Sequence, residues 1–482
     1  MKIGYVNPPY RGVQESYDKE YNLVWMSMKS YYKIHGKHEY EWVWPNEDVT
    51  DCDVVLFSSY MWNSKQCEEI AKKCRGVKIV GGPHIDFNNP LLFELSSYDF
   101  FCQPTMSGEV FITEFLDRFA EGEVDPKDIP FEKRSVRKER FEWLNFSVYE
   151  DNIDWLRFAA KDNDKPITLE TTRGCPFKCT YCEWGGGLAT KIVQKPIEVV
   201  KKDIDVIASL GIKQIELADS NTGAFLERDT EILRHIYERG MEVSTMSIVK
   251  TPNLERKFQI IKNSIDIGFV PSLGLQTYSR DALKATKRTD LSRKDQNKLI
   301  EMVGELVEED DIELELILGL PGSTKEDFYQ EFQWIETTKA WGFPRFEYVI
   351  LPFTEAATKE DKEKHGVKTT LVESHGNVFE TIVSCNTYSK EDMIEMFIMN
   401  QLGKFVREIF VGDDIVIFMK TCFQAIQELN DFETLEDHVL DYLEGEEPKP
   451  SGHLNGIPFG TYYFDFFQRN KQQILEKVIH AL

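Results

Sequence analysis

Cys175-Pro176-Phe177-Lys178-Cys179-Thr180-Tyr181-Cys182 decides how this chain is read. Its cysteines follow the spacing C-x-x-x-C-x-x-C. Three thiolates this close in sequence can hold three irons of a 4Fe–4S cluster and leave the fourth iron without a protein ligand, whereas a cluster that only stores or carries an electron normally has four cysteines. An open iron can bind a small molecule and pass it an electron, so the spacing points to chemistry at the cluster. The competing reading is structural zinc, which wants four ligands, usually as two close pairs separated by a longer loop. The other cysteines (Cys52, Cys67, Cys74, Cys102, Cys385 and Cys422) stand singly and form no C-x-x-C pair. A disulfide framework is weaker still, since nothing points to an oxidising compartment.

Outward from the triplet, strand-like and helix-like segments alternate. Ile167–Thr171 reads as the strand that delivers the cysteine loop and Glu198–Leu210 as a helix. Gln214–Ala218, Met241–Ile248, Val270–Leu275, Ile312–Leu318 and Arg345–Leu351 read as further strands. Six strands over residues 166–358 suit a partial (β/α)6 barrel, in which sites gather at the carboxyl ends of the strands. Residues 1–120 alternate in the same way, with strands at Lys2–Val6, Val54–Phe57, Val77–Val80 and Asp99–Cys102 and helices at Lys65–Lys73 and Gly108–Phe119. This is the pattern of a Rossmann-like parallel sheet, which binds ligands beyond its strand ends. Glycine, serine and aromatic residues cluster at those ends, although Gly and Pro also simply punctuate turns. Residues 121–165 read as a linker that Trp143, Phe146, Tyr149 and Trp155 pack against a neighbour. Residues 359–482 read as mainly α-helical: Ser389-x-x-Asp392 opens an amphipathic helix with Ile394, Phe397, Ile398, Leu402, Phe405 and Ile409 on one face. The fold class is therefore α/β with a helical C-terminal region.

Composition narrows the partners. The chain has 482 residues, enough for about three domains. Lys and Arg total 57 against 82 Asp and Glu, a net charge of −25. Phosphate-backbone binding draws on Lys and Arg, so nucleic acid is disfavoured. The first residues carry no apolar run of signal-peptide length, and stretches such as Ile415–Met419 are too short to span a bilayer. Unpaired cysteines fit a reducing cytoplasm. No G-x-x-x-x-G-K-[ST] phosphate loop is present.

Together with its flanks, Glu170-Thr171-Thr172-Arg173-Gly174 before and Glu183-Trp184-Gly185-Gly186-Gly187 after, the triplet resembles the signature of the radical S-adenosylmethionine (SAM) enzymes. The resemblance implies that Cys175, Cys179 and Cys182 ligate a 4Fe–4S cluster whose open iron chelates SAM, and that an electron cleaves SAM to methionine and a 5′-deoxyadenosyl radical. It places Tyr181 near the adenine and Asp219 and Asn221 near the methionine or ribose. Gln276 lies in Gly274-Leu275-Gln276-Thr277, similar to the family's fourth-strand Gly-x-Gln-Ser, and Arg288 matches an arginine that can meet a carboxylate. Gly319-Leu320-Pro321-Gly322 resembles the turn beside the adenine, bringing Gly319 and Pro321 into the SAM set. Read from the residues alone, Asp219 and Asn221 could equally be helix caps and Arg288 a surface ion pair.

The first domain resembles the cobalamin-binding domain of one large radical SAM subgroup. The matching pieces hold Ser58, Tyr60, Trp62, Gly81, Gly82, His84, Ser107, Gly108 and Glu109. The chain lacks the Asp-x-His-x-x-Gly run that supplies an imidazole to cobalt, so the resemblance implies cobalamin held without a histidine below the metal; His84 could as well cap a turn. The combination implies methylation of an unactivated carbon through the deoxyadenosyl radical and methylcobalamin. The alternatives are a radical SAM rearrangement, cyclisation or oxidation without methyl transfer, and a non-catalytic electron-transfer or regulatory iron–sulfur protein. A methylthiotransferase is disfavoured because the first domain has no second cysteine triplet. The substrate is left open among small molecules, lipids and peptides, with a flavodoxin or ferredoxin as reductant.

Overall fold

The structure, a computed structural model, describes residues 1–8, 21–45, 47–83, 85, 95–102, 108–125, 135–136, 143–161, 164–184, 191–308, 312–338, 345–374, 377–409, 414–429, 432, 439, 449–450, 453–454 and 457–481. The first domain runs β1 (Lys2–Val6), α1 (Leu23–His35), β2 (Glu41–Trp42), β3 (Val54–Ser58), α2 (Ser64–Ala71), β4 (Val77–Gly81), β5 (Phe100–Cys102), α3 (Gly108–Ala120) and β6 (Ser135–Val136). The strands form one parallel sheet in the order β2-β1-β3-β4-β5-β6. Strand β3, Val-Val-Leu-Phe-Ser, is buried along its whole length, as a central parallel strand covered on both faces must be. The chain passes from β1 to β2 on one side and then back across β1 to β3 on the other, so a crevice opens beyond the carboxyl ends of β1 and β3. Three elements of this sheet domain lie outside the expected pattern: α1, which buries Trp25, Met26 and Tyr32, the two-residue β2, and β6, which the segment read as a linker adds to the sheet edge.

The rest of that segment is ordered around aromatics. It carries α4 (Val148–Asp151), capped by the Ser147 hydroxyl accepting Glu150 N–H, and α5 (Ile153–Ala159). Trp155 meets Trp25 edge-on at 5.8 Å, and Tyr149 donates its hydroxyl to the Thr168 carbonyl. Trp25, Leu56, Trp155, Leu169 and Ile215 belong to one continuous hydrophobic cluster, which joins the first domain to the barrel.

The barrel begins with β7 (Ile167–Leu169). It continues through a short antiparallel pair, β8 (Thr172–Arg173) with β9 (Val193–Gln194), then α6 (Ile197–Ser209), β10 (Gln214–Leu217), α7 (Leu226–Glu238), β11 (Glu242–Thr245) and α8 (Leu254–Ile265). The second half is β12 (Leu273–Gln276), α9 (Arg280–Ala285), α10 (Arg293–Gly304), β13 (Leu314–Leu318), α11 (Lys325–Thr338) and β14 (Arg345–Glu347). Its six parallel strands pair as β11-β10-β7 and β12-β13-β14. Ile167, Leu169, Ile215, Leu217, Leu314 and Leu316 are buried in clusters with the helices, while Thr168, Glu216, Gly274 and Glu315 alternate onto the other face. That polar lumen is what a barrel with an open interior requires.

One expectation is corrected and another gains detail. The segment read as one strand, Arg345–Leu351, splits at Tyr348: β14 closes the barrel edge, and β15 (Val349–Ile350) turns away to pair antiparallel with another sheet. After α12 (Lys359–His365), the region read as mainly helical contains β16 (Lys368–Ser374) and β17 (Asn377–Ser384), an antiparallel pair whose Thr, Val and Ile content suits a pleated surface. The helices α13 (Lys390–Ile409) and α14 (Ile415–Gln427) follow. Ser389 and Asp392 cap α13 reciprocally, at 3.1 and 3.0 Å. Strand β18 (Lys449–Pro450) joins the sheet as β15-β17-β16-β18, and α15 (Phe459–Ala481) packs on α13 and α14.

Candidate functional site

The cysteine loop leaves β7 and is fastened on several sides. Asp219, just after β10, accepts the backbone N–H groups of Thr171 and Thr172 at 2.7 and 2.9 Å and the Thr171 hydroxyl. Burial pushes its carboxyl up to about 6, against the lowering effect of these hydrogen bonds. Arg228 on α7 donates to the Thr171 and Lys195 carbonyls at 3.0 and 2.8 Å. Gly174 takes φ +102°, a left-handed conformation that glycine adopts without strain, and its carbonyl accepts the Ser220 hydroxyl at 2.6 Å. Farther along, Thr180 N–H meets the Thr286 carbonyl at 2.9 Å.

Within this frame Cys175 and Cys179 are buried and Cys182 is half-buried. Asn221 donates its side-chain amide to Cys175 Sγ at 3.2 Å and accepts Lys250 N–H at its Oδ1, which fixes the amide orientation. Among the described residues no three His, Cys, Asp or Glu side chains converge tightly enough to hold one metal ion. A cuboidal cluster puts each thiolate on a different iron, so its cradle is wider than a single-ion site. Three cysteines on one eight-residue loop, one of them with a polar donor on its sulfur, fit such a cluster.

Below the loop, Arg288 is not the surface ion pair that the residues alone allowed; it is only 7% exposed. Its Nη1 lies 3.5 Å from the Tyr181 hydroxyl, and its Nη2 donates to the Gly274 carbonyl and to Asp290 Oδ2. Burial pushes the Tyr181 phenol up, against the pull of Arg288. Burial would also raise the Asp290 carboxyl, but Lys257 and Arg288 hold it below the usual carboxylate range. Gln276, at φ +70°, ends β12 beside Gly274. Asp219 and Asn221 are not helix caps: one fastens the loop and the other holds a cysteine sulfur. Pro321 is buried, and Gly319, at φ +87°, accepts the Tyr388 hydroxyl at 2.6 Å. A Cβ at Gly319 would come within 2.7 Å of the Met393 methyl, so the C-terminal region closes over this turn.

A cavity of about 810 Å³ lies between the first domain and the barrel. Ser58, Tyr60, Gly81, Gly82, Gly108 and Glu109 line it from the first domain, at the carboxyl ends of β3 and β4 and the start of α3. Thr168, Glu216, Gly174, Glu183 and Trp184 line it from the barrel and the cysteine loop. Gly82 sits at φ +109°, and a Cβ there would stand 2.3 Å from the Ser59 carbonyl, so the backbone passes where only glycine fits. Open space surrounds Gly108. These features fit a flat ligand laid against the strand ends. Trp62 stacks on Tyr60 at 4.5 Å and is exposed. His84 and Ser107, with Gly185, Gly186 and Gly187, lie outside the described residues.

Glu109 also does something its sequence position did not suggest. Its carboxylate meets Arg173 Nη1 at 3.1 Å, while Glu170 meets Arg173 Nη2 at 2.7 Å, so α3 of the first domain is bolted to the cysteine loop. Trp143 lies over the Arg173 guanidinium at 5.0 Å. Thr171, Ser220, Arg228, Asp290, Lys257 and Glu216 were missed from sequence. Asp290, two residues beyond Arg288, was the nearest thing to a signal; the others come together only through the fold.

The Radical SAM superfamily pattern matches residues 169–335. The cobalamin-dependent radical SAM methyltransferase TokK of Streptomyces tokunonensis is 24% identical over 418 residues, covering 78% of this chain and 60% of that protein. The 2-(S-pantetheinyl)-carbapenam-3-carboxylate methyltransferase of Streptantibioticus cattleyicolor is 24% identical over 398 residues, 74% of this chain and 57% of that protein. The chain thus spans less than two thirds of the length of either relative. Among solved structures, the radical SAM methyltransferase TsrM from Kitasatospora setae, with cobalamin and a 4Fe–4S cluster bound, superposes with a TM-score of 0.59 at 15% identity, over 83% of this chain and 95% of that one. This likeness is one of fold. Among the described residues no helix is long and apolar enough to cross a membrane.

Proposed function

We propose that this chain, whose central domain belongs to the radical SAM superfamily, is a cobalamin-dependent radical SAM enzyme that methylates an unactivated carbon of a small-molecule, lipid or peptide substrate. When bound, a 4Fe–4S cluster supplies the electron that cleaves SAM to methionine and a 5′-deoxyadenosyl radical, and methylcobalamin supplies the methyl group. The chain's own residues hold, orient and shield these groups. Cys175, Cys179 and Cys182 are the ligands to three irons, and Asn221 donates to one of the sulfurs. Tyr181, Gln276 and Arg288 border the SAM site, with Arg288 offered to the SAM carboxylate. Ser58, Tyr60, Gly81, Gly82 and Gly108 form the floor for the corrinoid. Glu109 and Glu170, gripping Arg173, keep that floor at a fixed height above the cysteine loop. A flavodoxin or ferredoxin serves as electron donor, and the compartment is the cytoplasm.

The observation that carries this reading is the shared cavity. Ser58, Tyr60 and Gly82 at the sheet ends face the same space as Gly174, Glu183 and Trp184 of the cysteine loop. A methyl carrier bound there would lie against the cysteine loop, whose Cys175, Cys179 and Cys182, together with Tyr181, Gln276 and Arg288, stand outside the cavity lining. The test is anaerobic purification with hydroxocobalamin supplied, followed by metal analysis and the visible spectrum. The wild type should hold about four irons together with cobalt. Changing Cys175, Cys179 and Cys182 together to Ala should remove the iron and spare the cobalt. Iron without any cobalt would favour a radical SAM rearrangement, cyclisation or oxidation instead.

A further inference from the structure

A chain of buried charge lies behind Arg288. Lys257, on α8, is 2% exposed and Arg288 7%, and the Asp290 side chain between them is fully buried. Lys257 Nζ stands 3.0 Å from Asp290 Oδ1, and Arg288 Nη2 stands 3.1 Å from Oδ2. Asp290 Oδ1 also accepts Leu291 N–H at 2.8 Å. Arg288 keeps its Nε buried without a hydrogen-bond partner among the described residues. Burial draws the Lys257 ammonium below its ordinary value, with Asp290 opposing that shift.

Arg288 and Asp290 alone would make a neutral pair. Lys257 takes half of the same carboxylate, so the three side chains together carry one net positive charge, which Arg288 turns toward Tyr181 and Cys179 of the loop. A buried uncompensated charge is costly and calls for a counter-anion. The spare charge is aimed by geometry: Gly274 and Asp290 hold Nη2, leaving Nη1 toward Tyr181 and Nε unused.

We propose that Lys257 and Asp290 are positioning residues that keep Arg288 net-positive and oriented, so that the site selects an adenosyl ligand bearing a carboxylate over one without it. This rests on the reading that SAM binds at the cysteine loop. The ion triad lies outside the cysteine ligands, and among the described residues Lys257 pairs with Asp290 and stands off the cavity lining, so it acts through Arg288.

The test compares SAM with decarboxylated SAM, which lacks only the carboxylate, by anaerobic equilibrium dialysis against the cluster-loaded protein. Lys257→Met should weaken SAM binding about tenfold, the size expected on losing a charge-assisted contact. Decarboxylated SAM should change by less than about twofold on the same scale, and the iron content should stay unchanged. Lys257→Arg should restore the preference for SAM. Lys257→Gln carries the same expectation as Lys257→Met should the latter fail to fold. Equal weakening of both ligands, as a merely structural role would give, overturns the inference, as does unchanged SAM affinity. Loss of iron in place of loss of selectivity would assign the spare charge to the thiolates and overturn it too. A wild type that does not bind SAM at all refutes the underlying reading; a wild type that prefers SAM with an unaltered Lys257→Met refutes the inference alone.

Discussion

Asn221→Ala should lower the reduction potential of the cluster. The side-chain amide donates to Cys175 Sγ at 3.2 Å from a residue only 3% exposed, so no water competes well for the sulfur. Reduction adds negative charge to the cluster and its sulfurs, and a donor to sulfur therefore stabilises the reduced form more than the oxidised one. A hydrogen bond to a charged group contributes roughly 1.5–3 kcal/mol in total, and the part that differs between two oxidation states is smaller, about 1 kcal/mol. For one electron that corresponds to a downward shift of about 40 mV. The assay is a redox titration of the reconstituted cluster followed by electron paramagnetic resonance, with iron content as control. Asn221→Asp would replace the donor by an acceptor and should shift the potential further in the same direction. An unchanged or raised potential in Asn221→Ala, with iron retained, would refute the reasoning.

Three further outcomes follow from the same geometry. Glu109→Gln weakens the bolt between α3 and the cysteine loop while Glu170 still holds Arg173, so it should cost about 1–3 kcal/mol in urea unfolding; no measurable loss would mean the contact is only apposition. Asp219 has its carboxyl raised to about 6 from the ordinary 3.8, so its ionisation opposes folding: the contribution is full below about pH 3.8 and is lost as pH rises to about 6, on the order of 3 kcal/mol. Asp219→Asn lacks this titration, so from about pH 4 to about pH 7 the wild type should lose urea resistance relative to the variant; a constant difference would contradict the assignment. Arg288→Ala should weaken SAM binding with iron content unchanged, and unchanged affinity in equilibrium dialysis would remove Arg288 from the site.

Much of the architecture was written in local patterns. The apolar runs Lys2–Val6, Val54–Phe57 and Val77–Val80 read as strands of a parallel sheet, and the alternation around Ile167, Gln214 and Leu314 announced the barrel. The cysteine spacing located the site because its three ligands are neighbours in sequence. What was illegible depends on distant partners. Glu109 reads as one acid at a helix start until Arg173 appears beside it 64 residues on. Lys257 reads as an ordinary helix lysine until Asp290 lies under it. Gly319 suggested a ligand turn, yet its closest neighbours come from Met393, Ile382 and Tyr388 in the C-terminal region. The β16–β17 pair, although rich in Thr and Val, carries Lys, Glu and Ser among its apolar residues, so it shows no long apolar run, whereas the helical period after Ser389 is plain.

The central claim is that this chain uses SAM in two ways, and the most direct measurement is product analysis with methyl-deuterated SAM. Protein loaded with cluster and cobalamin, reduced and anaerobic, should form 5′-deoxyadenosine together with S-adenosylhomocysteine, and the deuterated methyl group should be found on cobalamin. Changing Cys175, Cys179 and Cys182 to Ala should abolish the deoxyadenosine. S-adenosylhomocysteine and deuterated methylcobalamin with no deoxyadenosine, even when the methylated substrate is produced, would contradict the radical step and assign a polar methyl transfer to this site.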